Sequence, residues 1–328
     1  MMKNKEADFS GLEENLRCTS LQDLIPAGIT DVSLAVGVFD GVHKGHQKLL
    51  KTLMAQAEQY GSSPVAMTFY PHPRQVLDPE HSPELLLPPA EKNRLLHAYG
   101  AKAVITVPFT KEFAKLSPEE FADLCIHKSG PRIRSLCVGS NWHFGAGGKG
   151  NTVLLKEIAE KEGFHFEAVP ELKINGETVS STSIRKAVRE GDLQRAAALL
   201  GRTYALFGTI EHGRHVAGPK LDHPTANLQM DFGVLPPCGV YACRAVYYGH
   251  SFPAVCNIGR APTFHSYGDP NLMRTEVHLL SGGTDLYGVS MKLELVQQIR
   301  PERKFESPEA LKRQIYLDVE QASQLLKA

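Results

Sequence analysis

Val36-Gly37-Val38-Phe39-Asp40-Gly41-Val42-His43-Lys44-Gly45-His46 joins the end of an apolar run to a glycine-punctuated turn and two histidines three residues apart. The run Val32–Phe39 is β-branched and aromatic and reads as a buried strand, Asp40-Gly41 is a turn signal, and Gly45 to Gly61 brackets a helical stretch with Leu49, Leu50, Leu53 and Ala57 at core spacing. His43 and His46 therefore fall at a helix start, on one face. The free N–H groups and positive dipole end there favour an anion, so two imidazoles at this point suit a polyphosphate. Spacing alone is weak support: among 14 histidines in 328 residues about 0.6 such pairs arise by chance. A second pair, His212 and His215, lacks the strand-then-helix context and reads as a polar loop. No third Cys, His or acidic ligand stands at zinc-site spacing near the first pair, which argues against a metal there.

Outward from this stretch, residues 32–170 alternate. Strands are expected at Val32–Phe39, Val65–Phe69, Ala103–Val107, Ile133–Val138 and Phe164–Val169, with helices from about Gly45, Ala90, Pro118 and Thr152. Such alternation predicts a parallel sheet with crossover helices and a ligand crevice beyond the carboxyl ends of the strands. Residues 183–200 read as two short helices broken at Gly191-Asp192. After Gly201 the pattern changes to short β-rich runs, Tyr204–Ile210, Val240–Tyr248, Pro253–Ile258, Arg274–Leu280 and Ser290–Val296, separated by turn residues. A small antiparallel barrel follows, closed by a helix after Ser307-Pro308-Glu309 that packs through Leu311, Ile315 and Val319.

Composition agrees. Lys plus Arg and Asp plus Glu number 36 each, so no net charge draws the chain to nucleic acid or anionic membrane, and its anionic ligands must be held locally. Six cysteines show no CxxC or regular framework, which fits reduced thiols in a cytoplasmic protein. No apolar leader and no run of 18 apolar residues occur, so neither signal peptide nor membrane span is expected.

The string GVFDGVHKGH resembles the nucleotidyltransferase signature of bacterial bifunctional riboflavin kinase/FAD synthetases. Residues 68–73 (TFYPHP), 138–145 (VGSNWHFG), 179–185 (VSSTSIR), 224–227 (PTAN), 239–241 (GVY), 257–263 (NIGRAPT), 276–278 (EVH), 286–288 (LYG) and 300–305 (RPERKF) resemble that family's landmarks in the family's order. The resemblance implies a Rossmann-like nucleotidyltransferase domain at 15–186, a helical connector at 187–202 and a riboflavin kinase β-barrel with a terminal helix at 203–328. It also implies two reactions: phosphorylation of riboflavin by ATP to FMN, and adenylylation of FMN to FAD with release of pyrophosphate. Substrates are thus small molecules and Mg²⁺ is the implied cofactor, in a monomer or weak homo-oligomer.

Adenylyl transfer to an ionised phosphate needs positioning and charge stabilisation more than a base. His43, His46 and Arg185 are the catalytic candidates, and the resemblance places Gly37, Phe39, Asp40, Gly45, Asn141, Ser181 and Thr182 at ATP. Trp142 and Phe144 either frame the nucleotide or flavin or pack the core. Residues 145–150 are expected to form a mobile loop, with Lys149 either touching phosphate or solvated. A neutral ribityl hydroxyl, by contrast, benefits from a base. Glu276 is the candidate, and period two puts Arg274, Glu276 and His278 on one face, either a polar interior or site face or a solvent-facing polar strand. By resemblance Gly213, Gly218, Thr225 and Asn227 bind the kinase ATP, with Thr225 and Asn227 as oxygen ligands for Mg²⁺, and Arg300 and Phe305 contact flavin.

One segment departs from the family. Gly218-Pro219-Lys220-Leu221-Asp222-His223 stands where the family reads Gly-Arg-x-Leu-Gly-Phe, so an arginine and a glycine are lost. A carboxylate about 4 Å from a phosphate charge costs up to about 4 kcal/mol at an effective dielectric near 20, unless Asp222 turns outward or ligates Mg²⁺. The alternative reading is therefore an FAD synthetase whose barrel is a kinase-impaired flavin-binding module.

Overall fold

The computed structural model describes residues 18–123, 130–211, 226–260, 273–281 and 286–327. The second histidine pair and residues 212–225, with Gly213, Gly218, Thr225 and the departing loop, lie outside the described residues. The chain divides into two compact units: Met1–Pro83 with Pro89–Val179, and Glu84–Pro88 with Ser180–Ala328.

In the first unit the elements run β1 (Asp31–Val36), α1 (Lys44–Gln59), β2 (Ser63–Tyr70), α2 (Pro73–Leu77), α3 (Pro89–Ala98), β3 (Ala103–Pro108), α4 (Pro118–Ala122), β4 (Arg132–Gly139), α5 (Thr152–Glu162), β5 (His165–Val169) and a small hairpin of β6 (Lys173–Ile174) and β7 (Glu177–Thr178). All five expected strands form, paired parallel in the order β3-β2-β1-β4-β5. Both faces of β1 are buried, the signature of a central strand in a covered parallel sheet. Strand order reverses at β1, so the crevice lies beyond the carboxyl ends of β1 and β4.

In the second unit α6 (Ser181–Arg189) and α7 (Leu193–Leu200) break at Gly191, whose φ is +80°, and Asp192 caps α7 by accepting from the Arg195 N–H. A barrel follows: β8 (Ala205–Glu211), β9 (Ala226–Phe232), β10 (Gly239–Tyr247), β11 (His250–Arg260), β12 (Met273–Leu279) and β13 (Ser290–Pro301), closed antiparallel in the order β10-β11-β12-β9-β8-β13, with α8 (Pro308–Lys327) after it. Inside lie Tyr241, Cys243, Ala254, Cys256, Ile258, Thr275, Val277, Leu293 and Leu295. The interior face of β12 is therefore Thr275 and Val277, and Arg274, Glu276 and His278 point outward. The polar-interior reading of that strand falls, because the barrel is filled by apolar side chains.

Helix α8 lies over the outward face of β10 and β11, where Val240, Ala242 and Val255 meet Val319, Ala322, Leu325 and Leu326. Its packing stripe sits later in the helix than expected: Val319 takes part, while Leu311 and Ile315 stay half-buried. The described cysteines are free thiols.

Candidate functional site

Helix α1 starts where the sequence placed it, with His43 as N-cap: its Nδ1 accepts from the His46 N–H at 3.3 Å. The two imidazoles stack with centroids 3.6 Å apart and planes 16° from parallel, and the Phe39 ring meets His46 edge-on at 5.2 Å. Glycine lets the chain pass close on both sides of this stack. A Cβ on Gly37 would stand 3.3 Å from the Phe39 ring, and one on Gly45 would stand 3.1 Å from the His43 ring. Phe39 and Val42 hold positive φ of 55° and 38°, with fully buried side chains, and Asp40 between them is buried. Phe39 can thus offer a ligand only its backbone, while its ring shapes the histidine stack.

After β4, Asn141 Nδ2 donates to Glu171 Oε1 at 2.7 Å, so this predicted ATP contact already has a carboxylate partner. Trp142 stacks on Phe144 at 4.9 Å, and Phe121, Phe113, Phe109 and Phe69 continue the ring contacts towards the end of β2. Phe144 is buried core and Trp142 half-buried. The glycine-rich segment is closed rather than open: Phe144 and Gly150 exchange two backbone hydrogen bonds at 3.0 and 2.9 Å, and Lys149 is exposed.

Ser181, Thr182 and Arg185 stand on α6, in the second compact unit. Ser180 caps that helix, its Oγ accepting from the Ser183 N–H. Arg185 is buried and its Nε donates to the Glu84 carbonyl at 2.7 Å.

In the barrel, strand register brings together residues far apart in sequence. Asn227 opposes Glu276, Glu276 opposes Asn257, Asn257 opposes Val240, and Val240 opposes Arg300. Opposed residues share a face, so one transverse row on the outer wall holds Asn227, Glu276, Asn257 and Arg300. With strands about 4.8 Å apart, the first three span about 10 Å. Glu276 is half-buried, and burial pushes its carboxyl up while Arg274 pulls it down, with a net rise. Arg300 is committed: its Nε donates to both Asp318 carboxylate oxygens at 3.0 Å, and its guanidinium lies 5.5 Å over the Phe305 ring. Sequence reasoning assigned no role to Asn257 or Lys92. Asn257 sits in the NIGRAPT segment, and only the register reveals its neighbours.

A parallel sheet with paired imidazoles at a helix start, joined in one chain to a barrel carrying a carboxylate beside asparagines, defines a two-unit transferase. The family model for FAD synthetase matches residues 26–183 and that for riboflavin kinase matches 200–326. The chain is 36% identical over 292 residues to the bifunctional riboflavin kinase/FMN adenylyltransferase of Bacillus subtilis, covering 88% of this chain and 90% of that one. Against the protein of the same description from Escherichia coli K12 it is 34% identical over 287 residues, covering 87% and 90%. This chain belongs to the bifunctional riboflavin kinase/FMN adenylyltransferase family. A crystal structure described as a macrolide-efflux protein from Streptococcus pneumoniae superposes with a TM-score of 0.78 at 29% identity, covering 89% of this chain and 94% of that one. Among the described residues no helix is long and apolar enough to cross a membrane.

Proposed function

We propose that this transferase makes FAD from riboflavin in two ATP-dependent steps, adenylylation in the domain at 15–186 and phosphorylation in the barrel domain at 203–328, with 187–202 as connector. Membership of a family whose members are bifunctional supports both steps. In adenylylation an FMN phosphate oxygen attacks the α-phosphorus of ATP, the new anhydride bond forms, and the bond to pyrophosphate breaks. No proton need move, so the work is charge stabilisation. His43 and His46 receive the phosphates, with Gly37, Asp40, Gly45 and the Phe39 backbone shaping the loop. Asn141, Ser181, Thr182 and Arg185 are the further proposed nucleotide contacts, Arg185 through a guanidinium charge that a bond to the neutral Glu84 carbonyl does not offset.

In phosphorylation Glu276 takes the proton of the terminal ribityl hydroxyl as its oxygen attacks the γ-phosphorus and ADP leaves. The register-matched pair Asn227 and Glu276 is the single observation that carries this step. A carboxylate shielded by burial is a stronger base than one in water. Asn227 supplies a hard oxygen of the kind Mg²⁺ takes alongside substrate phosphates, and Thr225 is its proposed companion. Bound on the ATP phosphates, Mg²⁺ would offset their negative charge. Phe305, oriented by Arg300, contacts the flavin. The protein is proposed to act in the cytoplasm as a monomer or weak homo-oligomer.

The test supplies purified protein with ATP and Mg²⁺ and either riboflavin or FMN, and resolves the flavins by chromatography. FAD from both is expected. FAD from FMN alone would mean a silent barrel, the alternative that the Pro219 and Asp222 departures raise and that the family match argues against, and no product from either would overturn the reading.

A further inference from the structure

Lys92 lies outside every motif read above, yet it is a buried ammonium at the strand ends from which the histidine loop departs. It sits on α3, 7% exposed. Its Nζ donates to Thr68 Oγ1 at 2.9 Å and reaches the carbonyls of Val38 and Phe69 at 3.4 Å each. Thr68 Oγ1 donates to the same Val38 carbonyl at 3.0 Å. The geometry has a clear logic. The β1–β2 ladder pairs Val36 with Met67 and ends on the Gly37 N–H to Met67 carbonyl bond of 3.0 Å. One residue further the strands part, and Lys92 and Thr68 side chains replace the ladder by gripping Val38. The next two residues are Phe39, in the left-handed region, and buried Asp40.

We propose that Lys92 is a positioning residue for adenylyl transfer: its protonated ammonium clamps the Val38 carbonyl and Thr68, and so fixes the Phe39–Asp40 backbone and the His43–His46 stack that Phe39 abuts. The proposal rests on reading the first unit as the adenylyltransferase. An apolar side chain of equal length would fill the same space without the cost of burying a charge; what the ammonium adds is its bonds to three acceptors. Burial drives the Lys92 ammonium down from 10.5 to about 8, and Asp40 opposes that fall. The charged and titratable groups around it are few. The loop after β1 gives Asp40, β2 ends in the Tyr70 phenol, β3 carries none, and α1 begins with His43 and His46. On α3 itself Glu91 is held by Arg94 at 2.6 Å and His97 bonds the Ala101 carbonyl. Loss of one proton leaves Lys92 with two N–H donors and a lone pair facing three acceptors, and removes the charge that strengthens each bond.

The experiment measures kcat for FAD formation from FMN at saturating substrates from about pH 6.5 to about 9.5, with thermal unfolding followed by circular dichroism as the folding control for the first unit and riboflavin phosphorylation as that for the second. The wild type is expected to lose rate in a single-proton step near about 8. Thr68→Val removes an acceptor of the charged form and is expected to move that step to lower pH. Lys92→Met is expected to abolish the step and to lower kcat about tenfold or more, as a displaced catalytic loop does, while riboflavin phosphorylation persists. A Lys92→Met protein with the wild-type rate and profile, or a Thr68→Val protein whose step stays in place, overturns the proposal. Where Lys92→Met loses the thermal transition of the first unit it has not folded, and the Thr68→Val shift alone decides. If the wild type makes no FAD at any pH, it is the adenylyltransferase reading that has failed.

Discussion

Arg300 and Asp318 form a fork-to-carboxylate pair, Nε to both oxygens at 3.0 Å and a second guanidinium nitrogen to Oδ2 at 2.8 Å, tying the end of β13 to the middle of α8. Gln314 Nε2 adds a bond to Asp318 Oδ1 at 2.8 Å, and Asp318 is 3% exposed. The guanidinium is thus held between Asp318 and the Phe305 ring, over which Arg303 also lies at 5.0 Å. Asp318→Asn leaves a half-buried cation without its buried counter-charge, and breaking a pair of this kind costs up to about 3 kcal/mol, the low end for fully buried pairs. Urea unfolding followed by circular dichroism should show that loss, with riboflavin KM raised in whatever folded protein remains. Arg300→Lys should recover part of the stability and little of the KM, since a point charge does not reproduce the fork.

Glu276, the proposed base of the kinase step, should separate the two activities when replaced. Glu276→Gln keeps the row of polar side chains but removes the base, so riboflavin phosphorylation should fall by about 10²–10⁴ while FMN adenylylation is unchanged. The sign of the pH effect is fixed by burial. The carboxyl is raised above 4.5, the base works only when deprotonated, and phosphorylation should therefore decline on acidification at a pH above the ordinary glutamate range. Arg274 opposes the rise, so Arg274→Ala should move that acid limb to still higher pH. A limb unmoved by Arg274→Ala would remove Glu276 from the role of base.

The strands that could be read from sequence are those with β-branched runs, from Val32 onward in the sheet and Tyr204 onward in the barrel. β9 was not readable. Ala226–Phe232 has no β-branched residue and only Leu228 is fully buried, so its state is imposed by the ladders to β8 and β12. Period two grouped Glu276 with Arg274 and His278, but alternation defines two faces without saying which is inside. The histidine loop was legible because glycine, turn and helix signals are local. The partners of Arg300 and Lys92 were not. Asp318 lies a helix away, and Thr68 and Val38 meet Lys92 only because two parallel strands end side by side.

His46→Ala tests the imidazole stack directly. Removing one preorganised group at developing phosphate charge costs about 10²–10³ in rate, so FAD formation from FMN should fall by that factor with riboflavin phosphorylation intact. His43→Ala should carry an additional penalty, because His43 also caps α1. Loss of a capping side chain typically costs about 1 kcal/mol, visible as a lowered midpoint of thermal unfolding. His43→Asn, which can cap, should restore the midpoint without restoring the rate.

Gly45→Ala probes geometry without touching a charged or ring group. Residue 45 is helical, so alanine is locally favoured there over glycine by about 1 kcal/mol, yet its Cβ would stand 3.1 Å from the His43 ring and 3.4 Å from the Val179 carbonyl. The backbone oxygen is the harder neighbour, so the imidazole yields by a few tenths of an ångström and slides across its partner in the stack. Misplacement of about 1 Å at a reacting centre is worth about 10² in rate. A shift of this smaller size should lower kcat for adenylylation about tenfold, while the helix gain and the crowding leave thermal stability close to the wild type. A variant with unchanged kcat would show that the close stacking of His43 on His46 is not what the phosphates require.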